Sequence, residues 1–521
     1  MIQSAFRLPV LSFALSMIMA GAPAALAQQP APEGGTVAAQ PQGRTGRAAP
    51  ANDAGRAPAE RLKPLPADST TQHSLDIGGR TLAFSATAGT IRLFDAAQGT
   101  PQADVAYMAF RRTDMAVETR PVTFVFNGGP GYASAWLNLG SLGPWRLRMD
   151  AEAAYPSAAP ETMPNAETWL DFTDLVFIDP PGTGYSRILG GDEVRRSFFS
   201  VDGDINVLAA TIRRYVEENG RMRSPKFIAG ESYGGFRTPK IAHALQTDQG
   251  LGVNGLVMIS PVLDFGRFNS RSGLLDHVAR LPSYAATARQ MKGQSLTPAD
   301  LADVEAYARG EFLDDLMRGV KDPAVLDRLS RRVSELTGVE LDTVRRLGAR
   351  IPAQTFVREA HRAQKRVGSL YDADVTGFDP TPFSGRSEAE DQMRLGLHAP
   401  IISAMVALYH DKLNWKVEGA RYLFINDQAS RSWDWGRGQA EAVSDLRKAM
   451  ALDPRMRVLV THGMTDVVTP YFETKMVLDQ IPDFGAAERL RFVLYPGGHM
   501  FYSRDASRAA FRDDAKAVIA R

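Results

Sequence analysis

The sequence predicts an α/β protein with a mostly parallel central sheet, antiparallel strands on its amino-terminal side and a helical insertion. Two observations carry the prediction. Six short runs, 122–126, 175–178, 226–229, 256–259, 458–461 and 490–494, have the compact apolar character of strands buried on both faces. Helical stretches such as 204–218 lie between several of them, and that alternation folds as a parallel sheet whose strand-end loops make the site.

From the amino terminus, Arg7 precedes an apolar stretch from Leu8 to Ala20, followed by the small-residue triplet Ala25-Leu26-Ala27. This is the pattern of a cleaved export signal over residues 1–27. A retained anchor fits less well, because the run is shorter than the ~20 residues that span a bilayer. Residues 28–66 are rich in Ala, Pro, Gln, Gly and Arg and carry too few large apolar groups to offset ordering entropy, which predicts a disordered lead-in. The domain proper then runs in two parts, 67–267 and 400–521. Its first strands are read in Thr81-Leu-Ala-Phe84 and Thr90-Ile-Arg-Leu-Phe94 as short antiparallel hairpins. Between the two parts, residues 268–399 are rich in Ala, Leu, Arg and Asp at helical spacing, as in 301–317 and 323–336, and are read as a cap over the sheet. A separate helical domain is the alternative.

Composition narrows the function classes. The 60 Lys and Arg nearly cancel the 59 Asp and Glu, so no broad positive field draws a nucleic-acid backbone. The absence of cysteine removes thiol nucleophiles, disulfides and thiolate metal sites. There is no H-E-x-x-H pattern, and nothing in the chain requires a metal or an organic cofactor. After signal removal the expected product is a periplasmic or secreted protein with no membrane partner; the oligomeric state stays open.

The chemistry begins at Gly230-Glu-Ser-Tyr-Gly234, a G-x-S-x-G elbow between an apolar run and a helical stretch, with Pro239 the local objection to that helix. A serine hydroxyl needs a base, and the base needs an orienting carboxylate. Expected chain order is Ser, acid, His. His499 follows a strand and Gly497-Gly498, and Asp466 lies in a loop directly after a strand, so Ser232, Asp466 and His499 are the candidate catalytic set. His462 reads as a strand-end residue. Acyl transfer also needs N–H donors for the oxyanion, and these are assigned to Tyr233 and to Gly129 in the loop Asn127-Gly-Gly-Pro-Gly131. Trp433, Trp435, Tyr471 and Tyr284 are read as packing before pocket lining.

Taken in order, Asn127-Gly-Gly-Pro-Gly131, Asp179-Pro-Pro-Gly-Thr-Gly-Tyr-Ser186, Gly230-Glu-Ser-Tyr-Gly-Gly235, the Asp466 loop and Gly498-His-Met500 resemble the serine carboxypeptidases from about residue 120 onward. The resemblance implies an α/β-hydrolase fold, a cap between nucleophile and acid, and release of residues from the free carboxyl end of a peptide substrate. It also implies that Asn127 and Glu231 bind the substrate's terminal carboxylate, with Gly128 and Ser141 as further substrate-binding candidates. Three departures stand against it: Ser141 where many members have a second Glu, Val125 where Trp is frequent, and Tyr132 in place of Cys. An esterase, acyltransferase or aminopeptidase on the same scaffold, and a non-catalytic peptide binder, are the other readings.

Overall fold

The computed structural model describes residues 63–150, 152–268 and 273–520. The expected signal (1–27) and the lead-in as far as residue 62 lie outside the described residues. Among the latter, nine strands form one sheet path: β1 (Ser69–Ile77), β2 (Arg80–Phe94), β3 (Pro101–Arg112), β4 (Val122–Phe126), β5 (Asp174–Ile178), β6 (Lys226–Glu231), β7 (Gly255–Ile259), β8 (Arg457–Gly463) and β9 (Leu490–Tyr495). Their order is β1-β2-β3-β5-β4-β6-β7-β8-β9. The pairings from β5 through β9 are parallel and those among β1, β2, β3 and β5 antiparallel.

Both faces of the parallel half are covered, which explains the unbroken apolar runs. Val125, Phe177, Ala229, Val257 and Leu459 point into one core with Phe511, Ala515 and Trp169. Their neighbours Phe124, Val176, Ile228, Met258 and Val460 point into another, with Ile205, Leu208 and Ile212 of α1 (Val201–Glu218) and Ile241 and Leu245 of α2 (Tyr233–Thr247). This alternation of adjacent residues is the two-residue period of a strand. Each fully buried Phe, Leu or Val contributes on the order of 1.5–3 kcal/mol through apolar area removed from water.

Two expectations need correction. The runs 81–84 and 90–94 are parts of one 15-residue strand, not separate hairpin arms. Gly89 carries the strand through, because Asp68 and Tyr107 close over it and a Cβ there would stand 2.4 Å from Asp68 Oδ2 and 2.6 Å from Tyr107 Oη. The helical reading of 301–317 also simplifies too far. That stretch passes through a π-type turn at Ala308–Phe312, where Gly310 leaves helical geometry (φ −108°, ψ −107°). Pro239 does not end α2, which continues to Thr247.

The stretch between β7 and β8 is mainly helical and also holds a small hairpin, Arg366–Gly368 with Thr376–Phe378, that periodicity does not reveal. Its apolar core, with Val278, Leu281, Phe312 and Phe356, takes in Met464, Val467, Tyr471 and Phe472 from the chain after β8. Among the described residues no helix is long and apolar enough to cross a membrane.

At the amino end of β5, Asp174 accepts from Arg120 Nε at 2.6 Å, Arg221 Nη1 at 2.5 Å and the Arg112 N–H at 3.0 Å, all buried or nearly so. Asp174→Ala strands two guanidinium groups there and should cost about 3–5 kcal/mol. Urea unfolding checks this, and because the cluster lies at the sheet edge opposite Ser232, covalent labelling of folded protein at Ser232 should persist.

Candidate active site

Register in the parallel half brings the functional loops to one edge. Phe126 pairs with Gly230, Glu231 with Ile259, Ile259 with Thr461, and Gly463 with Tyr495, so the chain leaves β4, β6, β7, β8 and β9 side by side. Asn127, Ser232, Ser260, Asp466 and His499 all follow within four residues of those ends.

Ser232 sits between β6 and α2 at φ 61°, ψ −123°, a conformation that side-chain-bearing residues seldom adopt. Its N–H donates to the Ile259 carbonyl at 2.9 Å, and its own carbonyl accepts from Gly235 N–H at 2.9 Å. The turn is so tight that a Cβ on Gly230 would stand 2.1 Å from the Gly234 carbonyl oxygen. That is why small residues flank the serine.

His499 Nδ1 lies 2.7 Å from Asp466 Oδ2, with His499 2% exposed and Asp466 fully buried. The second carboxylate oxygen accepts the N–H groups of Val468 and Thr469, each at 2.9 Å. The Thr469 hydroxyl stands 2.6 Å from Oδ2 and 3.0 Å from His499 Nδ1. Burial works against a charge on His499, but Asp466 outweighs it and raises the imidazole above its ordinary value. The backbone of His499 is held from both sides: its N–H donates to the Tyr371 carbonyl at 2.5 Å, and its carbonyl accepts from Ser260 Oγ at 2.8 Å. The Tyr371 ring meets the imidazole edge-on at 5.3 Å. Ser260 thus joins the histidine loop to β7, whose last carbonyl holds Ser232. Among the described residues no hydrogen bond closes from Ser232 Oγ to the imidazole, a leg that often tightens only with substrate bound. His462 lies inside β8, where burial pushes it down to about 3 and Thr474 Oγ1 meets its Nε2 at 2.9 Å.

The Gly-rich loop after β4 lies directly on the elbow. A Cβ on Gly128 would fall 2.6 Å from Tyr233 N and 2.9 Å from Ser232 Cβ, so only glycine leaves space over that N–H. As the first residue of α2, Tyr233 has no intrahelical acceptor for its N–H. Gly129 is the next residue of the loop, and the loop is fixed on its far side by Asn426 N–H on Gly131 O (2.8 Å) and Ala133 N–H on Phe424 O (2.9 Å). Arg237, with no exposed surface, donates to the Asn127 carbonyl at 2.7 Å while Asp204 holds it at 2.6 and 3.0 Å; the Tyr233 ring lies over the guanidinium at 4.7 Å. Asp179 accepts the Ser134 N–H at 2.8 Å, and burial pushes its carboxyl up to about 7.

Glu231 and Asn127, the pair that the resemblance implies for carboxylate binding, are in contact. Asn127 Nδ2 donates to Glu231 Oε2, and Asn127 Oδ1 accepts from Leu137 N–H at 3.1 Å, which fixes the amide orientation. Tyr502 Oη donates to Glu231 Oε1 at 2.7 Å. Burial raises Glu231 to about 7, against the pull of a neighbouring His499 cation. Ser141 is buried in a π-type turn (Asn138–Leu142), but its hydroxyl has no protein partner and makes no bond to Glu231 or Asn127. Trp433, Tyr471 and Tyr284 are buried, and Trp433 packs edge-on to Tyr233 at 5.5 Å, whereas Trp435 is 37% exposed. No motif in the sequence marks Tyr502, Tyr371, Thr469, Arg237 or Asp204 as part of the site. Of these only Thr469, three residues from Asp466, had a local signal. Among the described residues no cluster of three or more His, Asp or Glu could hold a metal ion.

Residues 84–266 match the family model described as serine carboxypeptidase. The pheromone-processing carboxypeptidase of Aspergillus niger is 32% identical over 126 residues, 23% of this chain and 18% of that protein. A serine carboxypeptidase-like protein of Arabidopsis thaliana is 27% identical over 189 residues, 34% of this chain and 36% of that protein. The chain thus spans about a third or less of the length of these curated relatives. The prohormone-processing carboxypeptidase from Saccharomyces cerevisiae superposes with a TM-score of 0.55 at 15% identity, covering 84% of this chain and 91% of that one. The fold is that of the α/β hydrolases, and the sequence match makes the chain a relative of the serine carboxypeptidases.

Asp466→Asn keeps the size of the side chain but loses the anion that holds His499. On an activated ester its kcat should fall about 10³–10⁴-fold with little change in KM. An unaltered kcat would assign the orienting role to another group.

Proposed function

We propose that this chain, a relative of the serine carboxypeptidases, is itself an exported serine carboxypeptidase that removes residues from the free carboxyl end of peptides. Ser232 Oγ attacks the scissile carbonyl while His499 Nε2 takes its proton, with Asp466 holding the ring and stabilising the imidazolium. The N–H groups of Tyr233 and Gly129 receive the developing oxyanion. His499 then returns the proton to the leaving amine, and water, activated by the same imidazole, releases the acyl group from Ser232. The amino-terminal signal pattern supports export, with the mature chain beginning after Ala27.

The observation that carries the exopeptidase reading is the buried contact of Asn127 with Glu231, the residue next to the nucleophile. An ionised carboxylate repels a peptide's terminal carboxylate, whereas a neutral carboxyl donates to it. With Glu231 raised to about 7, the neutral form is available through the mildly acidic range. Gly128 and Ser141 are further candidates for this subsite; Ser141 would join it through its unpartnered hydroxyl.

One peptide, offered with a free or an amidated carboxyl end, tests the reading by mass spectrometry. Stepwise loss of single residues from the free end alone, absent in Ser232→Ala, is expected. Cleavage indifferent to amidation would move the chain to the endopeptidases or aminopeptidases, and cleavage of esters alone to the esterases. The pH dependence follows from the sign of the Glu231 shift. For free-carboxylate peptides kcat/KM should decline above about pH 7 as Glu231 loses its proton. For an ester lacking a terminal carboxylate that alkaline limb should be missing, while the acid limb set by His499 remains.

A further inference from the structure

Both oxygens of Glu231 are engaged by groups that the protein holds in fixed roles. Asn127 offers Oε2 only an N–H, because its amide oxygen is committed to the Leu137 N–H. Tyr502 offers Oε1 a hydroxyl at 2.7 Å. A phenol can in general donate or accept. Here the tyrosine is fully buried, and among the described residues Glu231 is the hydroxyl's one hydrogen-bond partner. Turning the hydroxyl round to accept would leave its own proton buried without an acceptor, which is the expensive outcome for a polar group. Tyr502 therefore donates in either charge state of Glu231.

We propose that Tyr502 is a positioning residue for terminal-carboxylate recognition: with Tyr502 and Asn127 both donating, a proton on Glu231 has no acceptor inside the protein and is presented to the carboxylate of a bound peptide. The inference rests on the carboxypeptidase reading and adds to it a residue whose side chain lies under the subsite. Tyr502 comes from the short helical turn after the histidine loop (Phe501–Ser503), so one segment supplies both the base and the group that sets the specificity acid. Its ring fills the space beside Gly140, where a Cβ would stand 2.6 Å from Tyr502 Cε2. The side chain before Ser141 is therefore absent because the tyrosine is there. The charged groups acting on Glu231 are His499, which favours its ionised form, and Asp466, which opposes it; Asn127 and Tyr502 complete its surroundings.

Tyr502→Phe tests the hydroxyl alone, because the ring and its packing remain. Removing a donor from the ionised form makes Glu231 harder to ionise, so the alkaline limb of kcat/KM for free-carboxylate peptides should move up by about one pH unit. In a Glu231→Gln background the same substitution should move no limb. A limb that stays in place in Tyr502→Phe, or a shift that survives in Glu231→Gln, would overturn the proposal. If wild type itself fails to distinguish free from amidated peptides, the carboxypeptidase reading fails first, and that result is separate. The infrared carbonyl stretch of protonated Glu231, identified by its loss in Glu231→Gln, gives a measurement on wild type that needs no Tyr502 variant. A hydrogen-bonded frequency is expected, and a free-carbonyl frequency would overturn the proposal.

Discussion

A single buried cation sets the relation between the nucleophile and the groups around it. Arg237 has no exposed surface, and its charge is met by Asp204 of α1 through two hydrogen bonds, by the Asn127 carbonyl of the loop after β4, and by the face of Tyr233. Desolvating a guanidinium costs several kcal/mol, so a position like this persists only where bidentate geometry and further acceptors offset the loss. The result is that α1, α2 and the Gly-rich loop cannot move independently. Each contributes something that must be in register with Ser232: the loop its N–H groups, α2 its first N–H, and α1 the counter-charge.

The second constraint comes from the stretch between β7 and β8. It reaches the histidine loop through Tyr371, whose carbonyl takes the His499 N–H and whose ring meets the imidazole. The next residue, Asp372, accepts from Thr465 Oγ1 at 2.6 Å and Arg504 Nη2 at 2.9 Å, so residues on both sides of the Asp466 and His499 loops are tied to the same turn. A stretch that packs Met464 and Val467 into its own apolar core and orients the imidazole backbone is part of the framework of the site.

Electrostatically the site holds three ionisable groups close enough to govern one another. Asp466 favours the imidazolium form of His499, and a charged His499 in turn favours the ionised form of Glu231. Burial opposes charge on both. The protonation of His499 and that of Glu231 are therefore coupled.

The sheet strands, the elbow and the candidate acid and base are legible in the chain alone, because the signal for each is local. A strand buried on both faces needs an unbroken apolar run such as 122–126, a strand-to-helix turn at φ 61° needs small neighbours such as Gly230, and a loop lying on that turn needs Gly128. The chain alone did not determine that 80–94 is one strand, since the residues that close over Gly89 come from positions 68 and 107. Nor did it reveal the hairpin at 366–378, whose three-residue strands are too short for a period to register. Which polar groups surround Ser232, Glu231 and His499 depends on long-range packing. Arg237 reaches Asn127, Tyr371 reaches His499 and Tyr502 reaches Glu231 across separations of 110, 128 and 271 residues, and hydrogen bonds across such distances leave no pattern in the chain that makes them. Ser141 is the converse case: the resemblance marks its position, but the fold gives its hydroxyl no partner, and the donor on Glu231 Oε1 is Tyr502.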